Sequence, residues 1–274
     1  MVPIIATFNH KGGVAKTSLT VNLMCVAAKP GSPVLLVDAD MQGTAARSLR
    51  VDPNAPGLYE LLHGQAPLKD CLHEAPEHPG LWVIPPGEGL GLLGQPRKED
   101  EAESEHKIAA TEYAARLTVA IQSAGDLLAA PLKFALIDLP PSFSIVTSLA
   151  LLASRRILVP MTPSQESVDA IAALLAEIKR KRVFNPGLQI LGVVVTMYQK
   201  NADQETYIRK FREILPVEIA MFDTIIPRNQ AVSTATSFCK PVVVYDKTGR
   251  GAAAYRRLYG EFEAGIEREF HHGA

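Results

Sequence analysis

Short blocks of leucine and β-branched residues alternate along this chain with longer stretches in which apolar positions recur every three or four residues. The blocks at 3–8, 33–37, 81–84, 134–137, 157–159, 190–195 and 224–226 are near-continuous apolar runs and predict strands buried on both faces. The stretches at about 107–129, 144–154, 164–184 and 203–214 predict helices. So does 16–29, where Leu19, Leu23 and Val26 lie at helical spacing and Pro30-Gly31 supplies the stop. Strands and helices in alternation predict an α/β fold, a mostly parallel twisted sheet flanked by helices on both faces. Ligands in such sheets bind beyond the carboxyl ends of the strands. A last apolar stripe comprises Tyr255, Leu258, Tyr259, Phe262, Ile266 and Phe270. Its polar face mixes Arg256, Arg257 and Arg268 with Glu261, Glu263, Glu267 and Glu269, which predicts a helix docked on the core rather than one lying on a membrane.

No clean boundary or internal repeat divides the chain, so residues 1–274 read as a single domain. The weakest region, at about 85–107, is first Gly/Pro-rich and then carries five acids and three bases between 97 and 107. It predicts a flexible surface loop running into a helix start.

A chain of 274 residues that is 47% hydrophobic can bury a sizeable core, and 21% charged residues exclude wholesale disorder. Lys+Arg 28 against Asp+Glu 29 gives a net charge of −1, so any nucleic-acid contact must come from a local patch. Cys25, Cys71 and Cys239 lie far apart with no CxxC spacing. That argues against a disulfide scaffold or a zinc site and fits a reducing cytoplasm. The amino terminus lacks the basic region and long apolar run of a signal peptide. The apolar stretch at 145–153 is shorter than the ~20 residues a bilayer span needs, so no membrane association is expected.

The strongest chemical signal is Lys11-Gly12-Gly13-Val14-Ala15-Lys16-Thr17-Ser18, set after a predicted strand and before a predicted helix. Adjacent glycines let the backbone curl so that successive N–H groups face an anion, and the helix start adds partial positive charge. Lys16 is placed to reach β- and γ-phosphates, and Thr17 to offer its hydroxyl to Mg²⁺. The common pattern G-x-x-x-x-G-K-[ST] fails twice, because His10 and Ala15 occupy its glycine positions, and an extra lysine, Lys11, is present. Asp38 and Asp40 end one predicted strand at the ligand edge, and Asp138 ends another. A carboxylate at Asp138 suits Mg²⁺ met through water. An acid such as Asp38 also serves to cap the turn that follows it.

Residues 11–18 resemble the deviant Walker A motif of the ParA/MinD ATPases, a branch of the P-loop NTPases. Leu35-Leu36-Val37-Asp38-Ala39-Asp40-Met41-Gln42-Gly43 is similar to the "DxDpQgn" segment of the ParA/Soj type. Ala135-Leu136-Ile137-Asp138-Leu139-Pro140-Pro141-Ser142 is similar to its Walker B and switch II segment. Ile226-Pro227-Arg228-Asn229, followed by Lys240-Pro241-Val242, resembles its "IPRN…GKPV" segment. The blocks occur in family order over nearly the whole chain.

The resemblance implies a Mg²⁺-dependent ATPase that hydrolyses ATP to ADP and phosphate and dimerises with ATP. Residues 11–18 would cradle the phosphates, and Lys11 would cross a nucleotide-sandwich dimer to the partner's phosphates, in the manner of an arginine finger supplied in trans. Asp40 would orient or activate the attacking water. Thr17, Asp38 and Asp138 would serve the Mg²⁺ region, and Pro227 and Asn229 would flank the adenine. The lack of an N-K-x-D motif after the phosphate loop favours ATP over GTP.

The ATP dimer is expected to bind double-stranded DNA without sequence preference, answer a ParB-like partner, and associate with the nucleoid while it positions plasmid, chromosome or another cargo. Candidate DNA contacts are Lys179, Arg180, Lys181 and Arg182 at one helix end, Arg209, Lys210 and Arg212 on another helix, and Arg228. Basic residues near a helix end are also favoured by its dipole alone. The chain departs from the family's "IPRNVRLSEAPS" in reading IPRNQAVSTATS, with Ala231 at the second arginine's place and Thr234 at the glutamate's. This departure bears on DNA or partner contacts. Two alternatives are a MinD-like, membrane-associated division-site regulator and a positioning ATPase that does not use DNA. The nitrogenase-like branch is set aside, because no cysteine stands near the Walker B segment.

Overall fold

The computed structural model describes residues 1–93, 103–142 and 144–271. Among them seven strands form one sheet: β1 (Ile4–Thr7), β2 (Val34–Asp38), β3 (His73–Glu74), β4 (Leu81–Ile84), β5 (Ala135–Asp138), β6 (Arg156–Met161) and β7 (Gln189–Val195). Their order is β3-β4-β2-β5-β1-β6-β7, and every pair is parallel except β3 with β4. The helices are α1 (Lys16–Ala27), α2 (Thr44–Ser48), α3 (Leu58–His63), α4 (Leu68–Cys71), α5 (Leu90–Leu93), α6 (Glu103–Leu127), α7 (Ile145–Ala153), α8 (Gln165–Arg182), α9 (Ala202–Ile214), α10 (Gln230–Ser237), α11 (Val242–Tyr245) and α12 (Arg250–His271).

Side chains alternate across a strand, so a buried strand feeds two cores. On β2, Leu35 and Val37 enter one core with Leu117 and Ile121 of α6, Leu149 of α7, Ile171 and Leu174 of α8 and Phe211 of α9. Val34 and Leu36 enter the other with Leu19 and Leu23 of α1 and Tyr255, Leu258 and Phe262 of α12. The apolar stripe of α12 is therefore a docking face, and Phe262 meets Phe134 edge-on at 5.4 Å between ring centroids. Each such aliphatic or aromatic side chain contributes about 1.5–3 kcal/mol when fully buried.

Helix starts follow local chemistry. Ser144, Ser164 and Asn201 each accept a backbone N–H three residues on, from Thr147, Ser167 and Gln204. Such caps satisfy amides that have no partner inside the helix.

Residues 224–226, expected as a strand, are not one. The 220–226 segment runs along β7, with Val193 N–H bonded to the Ala220 carbonyl and Phe222 N–H to that of Val193. A regular parallel ladder would next send Thr224 N–H to the Val195 carbonyl. Glu261 on α12 takes that N–H instead at 3.0 Å, and Ile226 N–H bonds Val195.

Of the loop expected at about 85–107, residues 94–102 lie outside the described residues. Its near flank is bonded, with the Pro85 and Pro86 carbonyls taking the N–H groups of Leu58 and Tyr59. None of the described helices is long and apolar enough to cross a membrane.

Phe262 is fully buried between α12 and the sheet. Phe262→Ala should cost about 3–5 kcal/mol of unfolding free energy. Denaturant titration checks this; a loss below about 1 kcal/mol would show that α12 is not integral to the core.

Candidate active site

The sheet order places the carboxyl ends of β1, β2 and β5 side by side, although β5 lies some hundred residues from its neighbours in sequence. β5 stands between β2 and β1, with Asp138 paired in register with both Asp38 and Thr7. The turn after β1 rises over this edge and enters α1. Gly13 has φ +73°, which glycine adopts without strain, and a side chain built on Gly12 or Gly13 would meet nothing within 4 Å. The loop therefore opens to a cavity of about 290 Å³, lined among others by Gly12, Gly13, Lys16, Thr17, Asp40 and Lys240.

Ala15 caps α1 at φ 60°, the left-handed region. An alanine pays about 1–2 kcal/mol there, which a glycine would not. The preceding carbonyl is anchored, because Thr196, buried at the end of β7, donates its hydroxyl to the Val14 carbonyl at 3.0 Å. Asn9 donates to the Pro160 carbonyl at 2.8 Å and accepts the Lys11 N–H at 3.0 Å, tying the start of the loop to β6. The phosphate loop is thus gripped from two neighbouring strands.

Lys16 turns inward and donates to the Lys11 carbonyl at 3.1 Å. Burial lowers its pKa from the usual lysine value, and the charges of Asp138 and Asp40 oppose that shift. Thr17 donates its hydroxyl to Asp138 Oδ2 at 2.7 Å, and Thr20 donates to Oδ1 at 3.0 Å. Burial pushes the Asp138 carboxyl up to about 6, against the lowering effect of those two bonds.

Asp38 is fully buried and pushed up to about 8, first by burial and then by the charge of Asp138. Its oxygens accept the N–H groups of Asp40 at 3.2 Å and Ala46 at 2.9 Å. Asp38 thus holds the turn that follows β2 and the entry to α2. Asp40, at the cavity wall, accepts the Gln42 N–H at 2.9 Å.

Lys11 points the other way. Its ammonium pairs with Glu166 at 2.6 Å and approaches Ser164 at 3.2 Å, at the start of α8. Glu166 is 80% exposed, and an ion pair this open to water contributes only about 0–1 kcal/mol.

A second cavity of about 360 Å³ shares Gly13, Ala15 and Ser18 with the first. Pro227, Arg228 and Asn229 line it together with Met197 and Tyr255. Asn229 accepts the Ala231 N–H through Oδ1 at 2.9 Å, which starts α10.

The basic candidates do not form one patch. The turn at 179–182 ends α8 at the amino edge of the sheet, away from the phosphate loop. There Arg180 pairs with Glu177, Lys181 donates to Ser148 at 2.8 Å, and Arg182 donates to the Leu188 carbonyl at 2.7 Å. Lys179 is exposed. Lys210 reaches Gln165, the first residue of α8, at 3.4 Å, so this part of α9 lies roughly 20 Å along α8 from that turn. Arg209, one residue before, bonds Thr206 at 3.1 Å, Arg212 is exposed on the same helix, and Arg228 sits at the second cavity. Arg155 and Arg156 were not singled out in the sequence, yet they join the α8 end, with Arg156 donating to the Gly187 carbonyl at 3.3 Å.

A strand-loop-helix phosphate cradle at the edge of a parallel sheet, with a lysine and a threonine hydroxyl facing one cavity and a buried acid bonded to that hydroxyl, defines a P-loop nucleotide-binding fold. Residues 2–190 match the family model described as "AAA domain". The chain is 34% identical over 264 residues to the chromosome partitioning protein ParA of Caulobacter vibrioides, covering 94% of this chain and 92% of that one. It is 35% identical over 268 residues to the chromosome-partitioning ATPase Soj of Thermus thermophilus, covering 96% of each. Among solved structures it superposes with TM-score 0.70 and 22% identity on the septum site-determining protein MinD of Pyrococcus horikoshii, complexed with Mg-ADP, over 100% of this chain and 98% of that one. The chain belongs to the ParA/Soj family of partitioning and positioning ATPases.

Asp38 and Asp138 bind protons in the fold that the unfolded chain releases near pH 4. Their stabilising contribution is present below that pH and is lost as pH rises, through about 6 for Asp138 and about 8 for Asp38. The nucleotide-free protein should therefore lose stability between pH 5 and 8, at no more than about 1.4 kcal/mol per pH unit for each titrating acid. Asp38→Asn should flatten the slope above pH 6. Guanidinium unfolding at several pH values reads this, and an equal slope in the variant would reject the assignment.

Proposed function

We propose that this chain is a Mg²⁺-dependent ATPase that hydrolyses ATP to ADP and phosphate, forms a two-fold dimer with ATP, and in that form holds double-stranded DNA and positions a plasmid, chromosome or other cargo. The observation that carries this reading is the divided use of the two lysines, with Lys16 turned into a cavity that also holds Thr17, whose hydroxyl bonds the buried Asp138, and Lys11 turned out to a solvent-exposed partner.

The residues fit a magnesium nucleotide. The open space at Gly12 and Gly13 leaves room for phosphate oxygens, and a hydroxyl beside a carboxylate is a hard oxygen donor set of the kind Mg²⁺ prefers. Thr17 and Asp138 would hold the metal, which when bound neutralises charge developing on the β- and γ-phosphates. The amides of residues 12–18 and the Lys16 ammonium bind and orient the phosphates. Asp40 orients the attacking water from the cavity wall. Asp38 supports the metal region at one remove, by holding the Asp40 turn. Pro227 packs on the adenine. Asn229 uses its carbonyl oxygen on Ala231, leaving its amide –NH₂ to meet a base edge.

Dimerisation requires Lys11 to exchange Glu166 for the partner's phosphates, and the weakness of the exposed pair makes that exchange inexpensive. DNA would meet the basic amino edge of the sheet, built from Lys179, Arg180, Lys181 and Arg182 with Arg155 and Arg156 added by the fold. Arg209 and Arg228 would contribute separately. With a net charge of −1, binding of this kind is local and salt-sensitive. Nucleoid association within the cytoplasm and stimulation by a ParB-like partner complete the reading. The apolar face of α12, including Leu258 and Phe262, is buried in the core, so that face offers lipid nothing.

Light scattering with ADP and with a slowly hydrolysed ATP analogue tests the switch: a monomer with the first and a dimer with the second are expected. Mobility shift of unrelated duplexes at low and high salt should show binding only with the analogue and at low salt. A monomer in both nucleotides would overturn the reading. Lys16→Ala should abolish detectable ATP binding by calorimetry, and retained affinity would contradict the phosphate cradle. Lys11→Ala should leave the melting temperature and monomer ATP binding unchanged but lower turnover by ~10³-fold or more, as loss of a finger in trans does. Unchanged turnover would return Lys11 to a surface role.

A further inference from the structure

α1 is an apolar helix on its buried face, yet Thr20 lies there with no solvent exposure. A buried hydroxyl is retained only where it finds partners, and threonine is a poorer helix former than alanine. Three acceptors lie within reach of the Thr20 hydroxyl: Thr7 Oγ1 at 2.9 Å, Asp138 Oδ1 at 3.0 Å and the Lys16 carbonyl at 3.1 Å. It has one proton to give. A carboxylate is the strongest of the three acceptors, because a charge-assisted bond is roughly twice as strong as a neutral one. The proton therefore goes to Asp138, and the Thr7 hydroxyl and the Lys16 carbonyl are the weaker, neutral alternatives.

We infer that Thr20 is a positioning residue for Asp138: it pins Oδ1 so that Oδ2 faces Thr17 and the metal-holding side of the site. With Thr17 alone, the carboxylate is held at one oxygen and is free to turn about its last torsion. A second donor on the other oxygen fixes the plane. Thr20 lies one helical turn below Thr17 and inside the core, so it touches neither phosphate nor solvent and acts only through Asp138. The inference rests on the proposed Mg²⁺-nucleotide reading and adds to it a residue that holds the metal-facing acid in place.

The test is ADP binding to the full chain, measured by calorimetry in EDTA and across a MgCl₂ titration, for wild type, Thr20→Val and Thr20→Ser. Valine keeps the shape and removes the hydroxyl; serine keeps the hydroxyl. Thr20→Val should raise the Mg²⁺ concentration needed for half-maximal tightening by about tenfold or more, the usual effect of losing a residue that orients a metal ligand. Affinity in EDTA should stay within about twofold, because the phosphate cradle is untouched. Thr20→Ser should restore the wild-type Mg²⁺ requirement. A wild-type requirement in Thr20→Val would overturn the inference. If Thr20→Val does not fold, Thr20→Ala removes the same hydroxyl and should shift the requirement in the same direction, and no shift there would overturn the inference equally. Wild-type protein whose ADP affinity ignores Mg²⁺ would instead sink the underlying nucleotide reading.

Discussion

The site is organised around a confrontation between two buried acids. Register pairing of β2 with β5 sets Asp38 beside Asp138 where water does not reach. Two carboxylates so placed cannot both ionise cheaply, and the fold answers with donors rather than with a paired cation. Thr17 and Thr20 serve Asp138, while backbone amides of the following turn serve Asp38. The positive charge of Lys16, itself desolvated, acts to lower the Asp138 pKa. A cation bound at this edge would favour the ionised form of both acids.

Around this pair the backbone is held in unusual conformations by neighbours that are remote in sequence. Ala15 occupies a left-handed position that glycine fills without cost, and the bond from Thr196 to Val14 braces the same peptide from β7. Asn22, about two turns further along α1, accepts the Val243 N–H at 3.1 Å and so ties the phosphate-loop helix to α11, beside the cavity. The loop, the acids and the far wall of the pocket are thus one connected unit. Lys11 stands apart from it, tethered to an exposed glutamate by an interaction weak enough to be exchanged.

Much of this was legible because it is local. Six of the expected strands appear where apolar runs of three to six residues predicted them, and the long helices appear within a few residues of their periodic stretches. Short elements such as α3, α4 and α11 were not legible, since four to six residues do not sustain a helical period. The 224–226 run has strand composition, but one side chain, Glu261, took the N–H its ladder needed. In the site, the contiguous loop at 11–18 could be read directly. Thr20, Thr196 and Asn22 could not, because nothing in their own neighbourhoods marks them: their partners lie 118, 182 and 221 residues away.

By itself, then, the sequence determined the layered α/β class, the docking face of the last helix and the phosphate-binding character of the first loop. Each of these is written in a run of neighbouring residues, through period, glycine content or charge. Only the tertiary structure decided which acid faces Thr17 and which one holds a turn, that the two lysines of one short loop point to opposite sides, and that the basic residues scatter over separate surfaces. Those outcomes follow from strand order and register, which bring distant segments to a common edge and which no local pattern of side chains encodes.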